Sequence, residues 1–363
     1  MSEQYVTNIE LSRAIMLCLK KGIPFYTYRL PDDIELYFGA QDDSEVHFFK
    51  NFSDITSSPG FVFSPFDTQS DTPAYYLRGD IRLTDKDDWN RLYALPSTEY
   101  NAKIGEYIDT PYSIYSGQVM KMVDCFRSGK LKKAVLSRPI TVACSINVAD
   151  IFLQMITLYP SAFVSLIFIP GKELWLGASP ETLLSNRNGM VETMSLAGTK
   201  CSDDRCSWGD KEQDEQQIVT DSIKVVLSRL SGSQPDISGT FTRNAGKVSH
   251  LCTLFRCHIS SENMDVLLQE LHPTPAIGGF PKKDAIQLIR ETETHDRRYY
   301  AGYLGPVSDK NNFDLFVNLR CMEVFSNCVH IYVGGGITKF SQPLLEWTET
   351  EIKSKTMLDL IKK

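Results

Sequence analysis

The sequence predicts an α+β fold built as one large unit. Short aromatic, strand-like runs broken by turn residues fill the first hundred positions, and long helical and strand patterns alternate from about residue 109 onward. No low-complexity linker and no repeat period divides the 363 residues. Residues 1–108 therefore read as a β-rich part of the same fold, and 109–363 as the region that carries its chemistry.

The elements follow in order. A helix is expected over 8–20, where Ile9, Ile15, Met16 and Leu19 recur among polar residues and Gly22 and Pro24 stop it. Strands are expected at 24–30, 35–39, 46–49, 60–64 and 74–78, separated by turns such as Pro31-Asp32-Asp33 and Gln41-Asp42-Asp43. After Asp109-Thr110-Pro111 come a helix at 112–128, a strand at 134–142, a helix at 148–159, and β-rich stretches at 162–169, 173–177 and 191–196. Helices are expected at 210–230, 282–292 and 344–361, with strands at 312–324 and 328–333.

Bulk properties exclude several classes. The net charge is −7 with both signs interspersed, and no basic stripe interleaved with aromatics exists, so a nucleic-acid partner is not expected. No stretch approaches the roughly 20 apolar residues of a membrane span. Residues 1–9 are polar and acidic, unlike a signal peptide. The nine cysteines are scattered and contain no Cys-x-x-Cys pair, which disfavours a disulfide framework or a zinc site. The expectation is a cytoplasmic enzyme with reduced thiols, monomeric by default.

The helix at 210–230 is the most informative segment. Val219, Ile223, Val226 and Leu230 form an apolar stripe at helical spacing, and extending it backwards reaches Glu215 and Glu212. Taken alone, acids there more often form a solvated first turn that complements the helix dipole. The last helix repeats the arrangement, with Glu346, Glu349, Lys353, Met357 and Leu360 on one face. Two such pairs running into apolar stripes suggest converging carboxylates, which need a cation to coexist. With all-oxygen donors and no clustered Cys or His, Mg²⁺ is the natural candidate.

Lys133 opens the strand Lys133-Ala-Val-Leu-Ser-Arg138, either as a snorkelling edge residue or as a general base. Glu181, in Ser179-Pro180-Glu181, is placed to cap a following helix or to act as a general acid. Gly198-Thr199 and Gly334-Gly335-Gly336 read as turns or as points of close backbone approach to a carboxylate ligand. Neither carries the Gly-Lys-Ser/Thr of a nucleotide-phosphate loop. Arg320, flanked by apolar residues in the 312–324 strand, needs an anion partner. His250 reads as a satisfied core histidine or a site residue.

The ordered set is distinctive: Lys133-Ala-Val-Leu-Ser-Arg138, Ala178-Ser-Pro-Glu181, Leu196-Ala-Gly-Thr199, Lys211-Glu-x-x-Glu215, His250-Leu251, His272-Pro-Thr-Pro-Ala-Ile-Gly-Gly-Phe-Pro281, Gly334-Gly-Gly-Ile337, and Glu346-Trp-Thr-Glu-Thr350 with Lys353. It resembles the chorismate-utilising enzymes over residues 109–360, and isochorismate synthases most. The resemblance implies a large α+β sandwich with two central, mostly antiparallel β-sheets, helices packed outside, and the site between the sheets. It implies that chorismate is the substrate. Lys133 would activate the water that attacks C2, and Glu181 would protonate the departing C4 hydroxyl. Glu215 and Glu349 would bind Mg²⁺, supported by Glu212 and Glu346. Gly198, Thr199 and Lys353 would surround the ring carboxylate and metal, and Tyr300, Arg320 and Gly336 the enolpyruvyl carboxylate. Gly334 and His250 complete the substrate-binding set. Two residues depart from the family pattern: Gln216 stands where His is usual, and Ser195 where Pro is usual. No feature points to a dedicated siderophore system, so menaquinone biosynthesis is the expected pathway; salicylate synthase is the nearest alternative.

Overall fold

The structure is a computed structural model that describes residues 6–55, 58–127, 129, 131–202, 207–246 and 248–361. Residues 1–5 of the N-terminal segment, Ser128 at the end of a predicted helix, and Cys206 lie outside these. Among the described residues no disulfide joins the cysteines, and no helix is long and apolar enough to cross a membrane.

Helix α1 (Asn8–Lys21) begins at a capping box between Thr7 and Glu10 and ends at Gly22 in the left-handed conformation. Strands β1 (Phe25–Arg29), β2 (Tyr37–Ala40), β3 (His47–Phe48), β4 (Gly60–Ser64) and β5 (Tyr75–Arg78) follow the predicted runs closely. Helix α2 (Lys86–Ala94), not predicted, precedes α3 (Tyr112–Phe126), β6 (Lys133–Ala143) and α4 (Val148–Leu158). Four consecutive strands come next: β7 (Phe163–Ile169), β8 (Glu173–Ser179), β9 (Thr182–Arg187) and β10 (Met190–Cys201). Helix α5 (Asp210–Ser231) leads to β11 (Asp236–Ile237), β12 (Phe241–Ala245) and β13 (Val248–His258). The chain closes with α6 (Met264–Leu271), β14 (Gly279–Phe280), α7 (Lys282–Thr292), β15 (Tyr303–Asp309), β16 (Asn312–Val317), β17 (Cys321–Val324), β18 (Cys328–Ile337) and α8 (Pro343–Ile361).

Two antiparallel sheets result. One has eight strands in the order β14-β6-β18-β17-β8-β7-β1-β2. The other runs β11-β13-β10-β9-β16-β15-β4-β5-β3, with β12 also paired to β13. Strands from the first hundred residues thus join both sheets.

Alternation along β7 shows how the layers form. Phe163, Ile167 and Ile169 enter one core, while Val164, Leu166 and Phe168 enter another with Leu11 and Ile15 of α1, Phe152 and Met155 of α4, and Met357 and Leu360 of α8. In the first core Phe163 stacks on Phe316 of the other sheet at 3.9 Å, so this core lies between the sheets. The second fills the space under the helices. Burying a ring such as Phe163 stabilises the fold by about 2–3 kcal/mol.

Several expectations are corrected. The predicted strand 312–324 is two strands in different sheets, because the chain crosses between layers at Asn318-Leu319-Arg320 and Arg320 takes φ 48°. Glu181 caps no helix, since β9 follows it directly. Gly334, Gly335 and Gly336 are not a turn but lie within β18, paired to Ser137, Leu136 and Val135. Gly198-Thr199 sits inside β10, at a register shift between Ala197 and Lys200 with Gly198 at φ 66°. The predicted stripe of α5 faces the core, with Val219 and Ile223 buried and Val226 and Leu230 partly buried against it; Gln216 and Leu227, not predicted, are buried with them.

Candidate active site

A cleft with about 680 Å³ of atom-free space, partly open to solvent, lies where β10 and β13 of one sheet approach β6 and β18 of the other. Ten of the predicted residues line it: Glu181, Gly198, Thr199, Glu215, His250, Tyr300, Arg320, Gly334, Gly336 and Lys353.

Lys133 stands immediately behind this wall. It is 0% exposed, which removes the snorkelling reading, and its Nζ lies 2.7 Å from Glu215 Oε1. Gly336 makes that contact possible. A Cβ there would fall 2.5 Å from Glu215 Oε1 and 2.9 Å from Lys133 Cε. Gly334 is similar, because its Cβ would meet the Tyr300 hydroxyl at 2.9 Å. Tyr300 is buried and stacks on Tyr332, and burial raises its hydroxyl pKa.

Glu181 closes another side of the cleft. It is 2% exposed, and burial lifts its pKa to about 8 although the nearby Lys133 pulls the other way. Glu181 follows the end of β8, and the sheet order β6-β18-β17-β8 sets that strand three spacings from the β6 strand of Lys133, roughly 14 Å between strand backbones.

A further wall is built by the cations Arg320 and Lys353 with His250 between polar partners. Arg320 has no ion-pair partner among the described residues; Nη1 donates to Thr356 Oγ1 at 3.2 Å and Nη2 meets His250 Nε2 at 3.4 Å. Burial lowers its pKa. A desolvated arginine without a carboxylate is an anion-binding group. His250 Nδ1 lies 2.8 Å from the Gly198 carbonyl, to which it donates, with Thr199 Oγ1 at 3.3 Å. Burial, reinforced by Arg320, drops its pKa to about 3, so the ring is neutral and Nε2 accepts from Arg320.

The glutamates arrive from two helices. Glu349 pairs with Lys353 Nζ at 2.7 Å, and the same Nζ donates to the Gly334 carbonyl at 3.0 Å. Burial opposes the Glu349 charge, but Lys353, Lys211 and Arg320 outweigh it and hold its pKa down. Glu346 is 1% exposed; Oε1 pairs with Lys211 Nζ at 2.7 Å and Oε2 has no hydrogen-bond partner. Burial raises the Glu346 pKa despite Lys211. A Cβ on Gly335 would lie 3.6 Å from both Glu346 Oε2 and Glu349 Oε1. Glu212 turns toward the helix start, its Cβ beside Gly198 and its Oε2 beside Gly209. Among the described residues no three of His, Cys, Asp or Glu are gathered into a ready-made cation cage. Glu215, Glu346 and Glu349 still fit a hard divalent cation: their donors are all oxygen, they converge on the glycine tract, and they include one orphaned buried carboxylate oxygen, whereas Glu212 does not reach that point.

Sequence reasoning missed a supporting network. Arg297, 3% exposed, forks onto Glu293 and donates to the carbonyls of Val135 at 2.7 Å and Ile277 at 3.0 Å, fixing two cleft walls. Glu293 also accepts from the Ser137 N–H at 2.7 Å. The only local signal was the i,i+4 acid–base spacing. The two departures from the family pattern touch each other, Gln216 Nε2 donating to Ser195 Oγ at 2.7 Å and to Thr253 Oγ1 at 3.2 Å. They seat the first turns of α5 on β10 and β13.

Residues 81–362 match the profile of a family described as chorismate binding enzyme. The chain belongs to that family. This family member is 32% identical over 249 residues to isochorismate synthase EntC of Escherichia coli K12, covering 64% of this chain and 62% of that one. It is 29% identical over 247 residues to isochorismate synthase MenF of Haemophilus influenzae, covering 64% and 57%. The matched region thus spans about six-tenths of the length of these relatives. Its fold matches the menaquinone-specific isochorismate synthase MenF of E. coli with a TM-score of 0.80 at 20% identity, over 96% of this chain and 90% of that one. Anthranilate synthase component I of Streptococcus pneumoniae matches with a TM-score of 0.70 at 20% identity, over 92% and 89%.

Proposed function

We propose that the protein is a Mg²⁺-dependent isochorismate synthase, converting chorismate to isochorismate. The observation that carries this reading is the buried carboxyl of Glu181 on the lining of a cleft, with the buried Lys133 directly behind the wall of that cleft; burial raises the Glu181 pKa to about 8. An acid and a base placed in this way suit a reaction that adds water at one ring carbon and removes it from another.

In this mechanism Lys133, in the neutral form left after its ammonium proton is released to solvent, takes a proton from water as the water oxygen bonds to C2. The ring double bonds shift, the C4–O bond breaks, and Glu181 donates the proton with which that hydroxyl leaves as water. Arg320, with Tyr300 beside it, holds the enolpyruvyl carboxylate. The Gly198–Thr199 bulge, His250 and Lys353 border the ring carboxylate. Glu215 and Glu349 would hold the metal, with Glu346 in support. When bound, Mg²⁺ would orient the ring carboxylate and offset its charge. Gly334 and Gly336 leave room for the substrate because neither carries a side chain.

Incubation with chorismate and Mg²⁺ followed by chromatography tests the proposal. Isochorismate as the sole product supports it, and salicylate with pyruvate would replace it by salicylate synthase. Absence of turnover by folded, metal-supplied protein would sink it. Menaquinone biosynthesis is the proposed destination, tested by gene deletion and rescue with supplied menaquinone.

A further inference from the structure

Six charged groups meet around the glycine tract in three pairs of equal length. Lys133 faces Glu215, Lys353 faces Glu349, and Lys211 faces Glu346, each at 2.7 Å. Three carboxylates are thus matched by three ammonium groups without any added cation. The proposed reaction gives work to Lys133 and Lys353 but none to Lys211, which is not part of the cleft lining.

Lys211 also differs in its surroundings. Its side chain is 30% exposed, against 0% for Lys133 and 16% for Lys353. It lies in the first turn of α5, where the helix dipole disfavours a cation. It is the one ammonium of the three with both a route to water and a reason to take it. The carboxylate it holds is half-used: Glu346 gives one oxygen to Lys211, while the other, buried, is unpartnered and faces the same point beside Gly335 as Glu349 Oε1.

We propose that Lys211 is a built-in counter-ion for the metal site, holding Glu346 in the metal-free enzyme and swinging into solvent when a divalent cation takes that carboxylate. Metal entry is then an exchange of one cation for another, and the affinity for Mg²⁺ is set below what the carboxylates alone would give. The proposal rests on reading Glu215, Glu346 and Glu349 as metal ligands.

The test is calorimetric titration of Mg²⁺ into the metal-free full-length protein, with thermal melting in EDTA as a second readout. Lys211→Met is expected to lower the Mg²⁺ dissociation constant about five- to tenfold, the weight of one partly buried ion pair. It should also lower the melting temperature in EDTA and enlarge the rise that Mg²⁺ produces. Lys211→Arg, which keeps the charge, should stay within about twofold of the parent. Lys224→Met, exposed on the same helix, controls for net charge, and Lys211→Gln replaces the Met variant if that one does not melt cooperatively. An affinity equal to that of Lys224→Met overturns the proposal, and so does weaker binding, which would make Lys211 a prop for the ligands. If the parent takes up no Mg²⁺, the ligand assignment falls with it. If the parent binds and the Lys211 variants match it, only the counter-ion role is lost.

Discussion

Glutamine at position 181 keeps the shape and hydrogen-bonding capacity of a protonated glutamic acid but cannot ionise or donate a proton. The buried Glu181 carboxyl has its pKa raised from 4.5 to about 8. Between those values the unfolded chain releases the proton while the folded protein retains it, so stability falls as pH rises through this window. The cost is absent below pH 4.5 and complete above about pH 8. Its full size is about 5 kcal/mol, from 1.36 kcal/mol per pKa unit. Glu181→Gln removes it. Urea denaturation followed by tryptophan fluorescence should therefore find the two proteins alike near pH 5 and the variant more stable by several kcal/mol above pH 8. Turnover should be abolished in the variant at every pH. In the parent it should decline above about pH 8 as Glu181 ionises. A stability difference that is constant with pH, or a parent more stable than the variant at pH 8, would refute the burial argument. Retained turnover would refute the acid role.

Three further perturbations test other parts of the site. Arg320→Met should raise KM for chorismate at least 30-fold, the loss of a charge-assisted contact at about 2–3 kcal/mol. Its melting temperature should change little, since Arg320 makes no ion pair among the described residues; steady-state kinetics beside a thermal melt checks both. Gly336→Ala puts a methyl 2.5 Å from Glu215 Oε1 and 2.9 Å from Lys133 Cε, so turnover should fall at least about tenfold while circular dichroism is unchanged. Gln216→Ala and Ser195→Ala should each cost about 1–3 kcal/mol in urea denaturation, with the double variant costing less than their sum because they break one shared contact.

The amphipathic helices were legible because their hydrophobic period survives in a single segment, as in α1 and α4. The first five strands were legible because turn residues bracket them. What failed did so where local signals mislead. The apolar run from Phe313 to Val324 gave no hint that the chain changes sheets at Arg320. The Gly334–Gly336 tract looked like a turn because glycine marks turns, yet here it serves a strand that other side chains must approach. Pro180 suggested a helix start where a strand begins. The site residues were found through their types and order, but their pairing was not. Lys211 and Glu346 are 135 positions apart, and no periodicity reaches that far. Arg297 was invisible for the same reason, since its carbonyl partners belong to distant segments.

The two shortest crossings between sheets have a mechanical meaning. Pro180-Glu181 joins β8 to β9, and Asn318-Leu319-Arg320 joins β16 to β17. The joined strands are neighbours in both layers, with Gly177 opposite Cys321 in one sheet and Thr182 opposite Phe316 in the other. Links of two and three residues reach only roughly 7–11 Å. They act as two adjacent stitches through both layers, and Glu181 and Arg320 are carried on the thread itself. Sliding of one sheet over the other is blocked where a proton donor and an anion clamp must keep their spacing. The far rim at β11 has no such constraint. Residues can be gained or lost there without disturbing the gauge between the layers, whereas deleting one residue from either stitch would reset it.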